Sequence, residues 1–391
     1  VNRAWDAHVT PAADVDAACA EAVAPKPILG TMTFGWAQAS SAVGEEAAAA
    51  MVRAFVAAGG EEVDTARMYA AGQTEHILAK AMAALPPAQS AALRVATKAN
   101  PAGEAGDGGT GGLGAARLTE QLEASLAALR VPRDGSTKLD TFYLHWPDTA
   151  TGLEETLGAV QAAHAAGRFG RLGLSNYGAA EVASIDEHMA ARGWVRPQVY
   201  QGMYNALTRD VEAELLPLLR ERGIAFYAYN PLAGGLLTGK HLDRLGGAAG
   251  AAGSGGRFDG NDFYVDRYWR REYFEALRAV RAACDGAGGG LSLAESAIRW
   301  LAHHSALRGG EGDGIVVGGS SVAQVEANLA ACAAGPLPPP VASAWDDAWE
   351  TARAAAPRYD GYGLSGSMRQ PRAAAAAPDG GREAAVTLNV A

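Results

Sequence analysis

Cysteine is scarce: Cys19, Cys284 and Cys332 are odd in number and far apart, and none sits in a CxxC or Cys/His ligand spacing. A disulfide framework and a zinc site are therefore not expected, and a reducing compartment fits. Basic charge is also short, with 33 Lys and Arg against 43 Asp and Glu and a formal net charge of −10. Nonspecific nucleic-acid binding is disfavoured by that balance, although a local basic pocket for a phosphate is compatible with it. The longest apolar runs are too short and too rich in alanine to span a bilayer, so no membrane association is expected. Val1 to Pro25 has neither the basic start nor the apolar centre of a secretory signal. It reads as an extension to a cytoplasmic protein, and an organelle reached after removal of a transit peptide fits as well.

What is present is repetition. Apolar, β-branched or aromatic runs recur eight times, in PILGTMTFG, EEVDTA, LRVATKA, TFYLHW, GRLGLSN, QVYQGMYN, IAFYAYNPL and GIVVGGSS. Between them lie segments with helical spacing, such as Glu45 to Ala58 with Met51 and Phe55, and the stripe Leu118, Leu122, Leu126 and Leu129. Strands alternating with helices eight times predict a single α/β domain, a closed (β/α)8 barrel of parallel strands. The barrel is assigned to 26–362. A tail from 363 to 391 shows no amphipathic pattern and is expected to be unstructured. Ala102 to Gly114 and Gly246 to Gly256 read as mobile glycine- and alanine-rich loops.

A parallel barrel gathers strand-end side chains on one face, where its chemistry is done. Asp64, Lys98 and His145 each end one of three successive runs, and Tyr69 follows Asp64 on the next loop. Alone, each has a structural explanation; together they suit proton delivery to a carbonyl oxygen. Lys98, held by Asp64, is expected to lower the pKa of Tyr69, because a neighbouring cation stabilises phenolate. His145 would then steer the carbonyl. Lys98 as a Schiff-base nucleophile is a competing reading, but it requires an uncharged amine, which Asp64 opposes.

Other signals are weaker. Gly109, Gly111 and Gly114 satisfy GxGxxG, but a glycine-rich tract separates them from the preceding strand, so the match is compositional rather than a dinucleotide fingerprint. Adjacent His303 and His304 face different ways on a helix and do not make a metal pair.

From Lys26 to Tyr359 the chain resembles the aldo-keto reductases, specifically the branch that reduces aflatoxin dialdehyde and succinic semialdehyde. The words that carry the resemblance are LGTMTFG, VDTARMY, GQTE, ATKANP, YLHWPD, GLSNY, VYQGMYNA, NPLAGGLLTGK, RYW, RWLAHHS and GGSSVAQVEANL. It implies NADPH as cofactor, an aldehyde as small-molecule substrate, a catalytic tetrad of Asp64, Tyr69, Lys98 and His145, and a homodimer, which is common in the branch. By the same resemblance Ser175, Asn176 and Gln201 hold the carboxamide, and Tyr229 stacks on the nicotinamide. Asn230, Pro231, Leu232, Ala233, Gly234, Gly235, Leu236 and Lys240 wrap the pyrophosphate. Ser320, Ser321, Gln324 and Asn328 open the last barrel helix, where N–H groups favour the 2′-phosphate, and Arg257 is the candidate for its missing cation.

Tyr264 and Arg267 match positions that contact the acidic end of substrates in this branch, so a short carboxylated aldehyde is expected, with His145 also at the substrate. The other reading of Arg267 is that it begins a helix and pairs with Asp266 or Glu272. The chain departs from the branch after APRY, where it continues instead of ending in an arginine, and Arg358 is out of register. Ala102 and glycines stand where relatives carry a tryptophan, so a wider pocket is expected. A catalytically weak, NADPH-binding barrel that senses redox state as an interaction subunit is the alternative, and the intact tetrad speaks against it.

Overall fold

The computed structural model describes residues 23–102, 112–132, 139–244, 251 and 253–360. Gly109 and Gly111 of the glycine motif, the 363–391 tail, Cys19 and nearly all of the N-terminal extension lie outside them.

All eight expected strands form: β1 Lys26–Gly30, β2 Glu62–Asp64, β3 Arg94–Ala99, β4 Leu139–Leu144, β5 Phe169–Ser175, β6 Pro197–Met203, β7 Ala225–Tyr229 and β8 Gly314–Val317. Each pairs in parallel with its sequence neighbours, and β1 pairs with β8 in the register Leu29↔Val317, which closes the barrel. Closure leaves no sheet edge with unpaired backbone groups, and right-handed crossovers place a helix outside each pair of strands. The helices follow the expected spacing. Glu45–Ala57 buries Ala48, Met51, Val52 and Phe55, while Ala115–Ala128 buries Leu118, Leu122 and Leu126. Helix Leu293–His303 is capped by Ser292, whose side chain accepts from the Glu295 N–H. In it and just beyond, His303 bonds the Ala334 carbonyl and His304 Nε2 accepts from the Leu337 N–H, so both histidines serve packing.

Two layers make the interior. Between strands and helices lies the large apolar core; inside the barrel Ile28, Tyr143, Val199 and Tyr227 form a smaller cluster. Beneath that cluster, at the N-terminal ends of the strands, Glu62 is a hub: it accepts from Tyr227 at 2.7 Å and pairs with Lys26 at 2.7 Å, Arg94 at 3.0 Å and Arg171 at 3.1 Å. The charged plug seals the floor and leaves the opposite mouth for chemistry. The β7–β8 crossover is long, carrying helices Asp262–Tyr268, Arg271–Ala287 and Leu293–His303, and the final helix Pro339–Ala352 packs against the second of these.

Candidate active site

The C-terminal mouth of the barrel holds a cavity of about 760 Å³. Of the four residues singled out in sequence, Asp64, Tyr69 and His145 line it, and Lys98 lies directly behind them, fully buried. Strand alternation aims Lys98 inward, where its Nζ donates to Asp64 Oδ1 at 2.7 Å, Asp64 Oδ2 at 2.6 Å and the Thr65 carbonyl at 2.8 Å. The ammonium lies 5.4 Å from the centroid of the Tyr69 ring and 5.4 Å from that of Tyr143. Tyr69 meets His145 edge-on at 6.0 Å, and His145 stacks on Trp146 at 4.0 Å.

The electrostatics correct one expectation. Burial, followed by the charge of Asp64, pushes the Tyr69 phenol well above 10, whereas acidification by Lys98 was expected. Asp64 lies against the Lys98 ammonium and offsets its field at the phenol; Arg257 is the group that pulls Tyr69 the other way. A phenol held protonated is still the proton-donating form. Lys98 itself is lowered by burial against the pull of Asp64 and Glu75. Burial and then Lys98 press His145 well below 6.5, so its ring is neutral, and its Nδ1 has no hydrogen-bond partner. The residue lines the cavity, where a neutral imidazole can meet a polar atom through a ring nitrogen.

Ser175, Asn176 and Gln201 all face the cavity at the ends of β5 and β6. Asn176 adopts a left-handed φ of 63°, which asparagine tolerates, and its Nδ2 donates to the His145 carbonyl and to Ser175 Oγ, both at 3.0 Å. Gln201 Nε2 donates to Asp64 Oδ1 at 2.8 Å, which ties this polar row to the ion pair. Tyr229 exposes its ring to the cavity while its hydroxyl donates to Asn176 Oδ1 at 2.7 Å, fixing the plane of the ring.

Farther along the cavity lie Asn230, Pro231, Leu232, Gly234, Gly235 and Lys240. Gly234, at φ 68°, runs so close to Tyr264 that a Cβ would lie 2.7 Å from its ring. Ala233 and Leu236, expected beside them, turn into the core, because the chain kinks at Gly234 and Gly235. Ser320, Gln324 and Asn328 line the far end, and Ser321 caps helix Val322–Ala333 instead. Two of the N–H groups there are engaged by side chains: Gln324 Oε1 accepts from Ser320 N at 2.8 Å, and Ser321 Oγ from Gln324 N at 3.3 Å.

Arg257 packs over Trp36 at 5.5 Å and Tyr264 at 5.7 Å. Lys240 is the cation beside Gly256 and Ser40, and Ser40 Oγ bonds Ser320 Oγ at 2.5 Å. Arg267 sits in the last turn of helix Asp262–Tyr268, buried, with its guanidinium 4.1 Å from the Phe263 ring. It neither begins a helix nor pairs with Asp266 or Glu272; the groups acting on it are Tyr229, Tyr268 and Tyr264. Arg358 pairs with Asp360 at 2.6 Å and does not line the cavity. Residues not anticipated include Trp36, Gln38 and Ser40, on the loop after β1, and Phe263 and Asn261, whose Nδ2 donates to Gln38 Oε1 at 2.9 Å. The signal for the first three was the position of GTMTFGW after a strand, where every neighbouring loop already carried a site residue.

The open mouth of this closed parallel barrel thus joins a buried Asp–Lys pair, a phenol and a neutral imidazole, groups able to bind a polar molecule and to hold or move a proton. The chain belongs to the aldo/keto reductase family, whose model matches residues 27–350. It is 44% identical over 342 residues to aflatoxin B1 aldehyde reductase member 2 of Mus musculus, covering 86% of this chain and 87% of that one. Identity to aldo-keto reductase family 7 member A3 of Homo sapiens is 42% over 342 residues, covering 86% and 97%. Identity to oxidoreductase sirO of Leptosphaeria maculans is 36% over 301 residues, covering 76% and 84%. The protein is thus an oxidoreductase of this family, whose members use a nicotinamide cofactor. No helix among the described residues is long and apolar enough to cross a membrane.

Proposed function

We propose that this protein reduces aldehydes to primary alcohols with NADPH, that Tyr69 protonates the carbonyl oxygen, and that short carboxylated aldehydes such as succinic semialdehyde are preferred substrates. Dicarbonyls, aromatic aldehydes and dialdehydes of the aflatoxin type are further substrates on this reading, in keeping with the names of the relatives. The observation that carries it is the convergence of Lys98, Asp64, Tyr69 and His145 at the cavity mouth.

The cavity suits the cofactor. Tyr229 presents a fixed ring, Ser175, Asn176 and Gln201 offer amide and hydroxyl groups, and Lys240 and Arg257 bring positive charge near the Ser320–Asn328 helix start. When bound there, NADPH supplies the hydride. The chain does the rest: His145 holds the carbonyl oxygen through its neutral ring, and the Tyr69 hydroxyl delivers the proton to that oxygen. Trp36 and Trp146 wall the mouth against water, and Arg267 grips a substrate carboxylate.

The test is NADPH consumption with 4-nitrobenzaldehyde and succinic semialdehyde by the wild type and Tyr69→Phe. Loss of nearly all turnover with unchanged NADPH binding is expected, because only the proton donor is removed. Undiminished turnover refutes the assignment, and equal catalytic efficiency with NADH and NADPH refutes the 2′-phosphate site.

A further inference from the structure

Glu75 is fully buried in the first turn of helix Gln73–Ala83, outside the cavity and behind the residues that do the chemistry. Its two oxygens reach different segments. Oε2 accepts from Arg67 Nη1 at 3.0 Å, and Oε1 accepts from Thr97 Oγ1 at 2.7 Å. Arg67 is two residues before Tyr69, and Thr97 is one residue before Lys98 on β3. Since side chains alternate along a strand, Thr97 faces outward where Lys98 faces inward. The end of β3 is therefore pinned on both faces, by Asp64 inside and Glu75 outside.

The turn carrying Tyr69 needs such a tie. Ala70 and Ala71, which follow it directly, hold left-handed φ values of 46° and 50°, a conformation that costs energy for any residue with a Cβ. Gly72 is also left-handed, and the Arg67 guanidinium lies across it, 2.8 Å from where a Cβ would stand. The Arg67–Glu75 pair thus braces a strained turn from behind, and a carboxylate this deeply buried persists only because both oxygens are engaged.

We propose that Glu75 is a positioning residue for the proposed proton donor: one buried carboxylate ties the Tyr69 turn, through Arg67, to the strand of Lys98, through Thr97, and so holds phenol and ammonium in register. The inference rests on Tyr69 being the donor, so Tyr69→Phe is measured first; full turnover by that variant overturns the donor assignment, and the clamp with it. In the full chain, Glu75→Gln keeps the shape and an acceptor for Thr97 but breaks the ion pair. It is expected to lower kcat about 10- to 100-fold, as a misplacement near 1 Å does, with KM and the NADPH dissociation constant within about twofold of wild type. Arg67→Met breaks the pair from the other side and lowers kcat comparably, whereas Arg67→Lys, which retains the cation, keeps most of the rate. In the Tyr69→Phe background Glu75→Gln adds no further loss, because the group it positions is gone. A wild-type kcat in Glu75→Gln overturns the proposal, and so does an equal second loss in the Tyr69→Phe background. Should Glu75→Gln not fold, Thr97→Val removes one arm at similar volume, and an unchanged kcat there overturns the clamp equally.

Discussion

The ring of Tyr143 on β4 lies against the bare α-carbon of Gly173, its register partner on β5; a Cβ at that position would stand 2.2 Å from Cδ1 of the ring. Tyr143 is in turn the aromatic surface beneath the Lys98 ammonium. Gly173→Ala therefore forces a fully buried tyrosine to move, and with it the floor under the ion pair. Overpacking of this kind costs about 1–3 kcal/mol, so a lowered urea midpoint is expected, together with reduced kcat. A variant with wild-type stability and rate would show that Tyr143 is not confined by this contact.

Glu62, at the other end of the barrel, makes a prediction about acid. Burial alone would raise its carboxyl, but the bonds from Lys26 and Tyr227 and the charge of Arg171 win and hold it down to about 2. A carboxyl depressed on folding contributes stability that is present above its unfolded value of 4.5 and is lost as pH falls through its folded value. Glu62→Gln should therefore cost on the order of 3 kcal/mol at neutral pH. Urea unfolding of both proteins from pH 7 downward checks the sign: the gap narrows toward pH 2. A gap independent of pH would assign the loss to shape rather than charge.

Much of this was legible in one dimension, and the limit is physical. Asp64, Lys98 and His145 close three successive apolar runs, so a parallel barrel had to bring them to one rim. The inward turn of the Ala233 and Leu236 side chains comes from a left-handed kink at Gly234 and Gly235, which residue order does not reveal. The direction of the Tyr69 shift was missed for a similar reason. A nearby cation is visible in sequence, whereas its neutralisation by a carboxylate at 2.6 Å and the burial of the phenol are properties of packing. The Trp36–Ser40 wall carries no titratable group to mark it, and its place is set by the fold of the loop after β1.

The same electrostatics shape the pH profile. With Tyr69 held protonated well above 10 and His145 neutral well below 6.5, neither group changes state between those values. The kcat/KM for an uncharged aldehyde should thus be flat from about pH 7 to about pH 9, because it reports the essential groups of the free enzyme. Sign and residue are checked together by Tyr69→Phe, which should lower the whole plateau without creating an inflection. An ionisation near 6.5 that vanishes on replacing His145 by glutamine would mean the imidazole carries a proton in the free enzyme.

Arg267 gives the sharpest statement about substrate. It is buried, 4.1 Å over the Phe263 ring, and surrounded by tyrosines instead of carboxylates, so its charge lacks an anionic partner among the described residues. A charge-assisted contact to a buried guanidinium is worth about 1.5–3 kcal/mol, which corresponds to roughly 10- to 100-fold in binding. Arg267→Ala should raise KM for succinic semialdehyde by that factor and leave KM for 4-nitrobenzaldehyde within about twofold. Arg267→Lys should recover only part of the loss, because a point charge replaces a planar fork that no longer stacks on Phe263. Parallel changes for the charged and the uncharged aldehyde would mean that Arg267 supports the pocket wall and does not read the carboxylate.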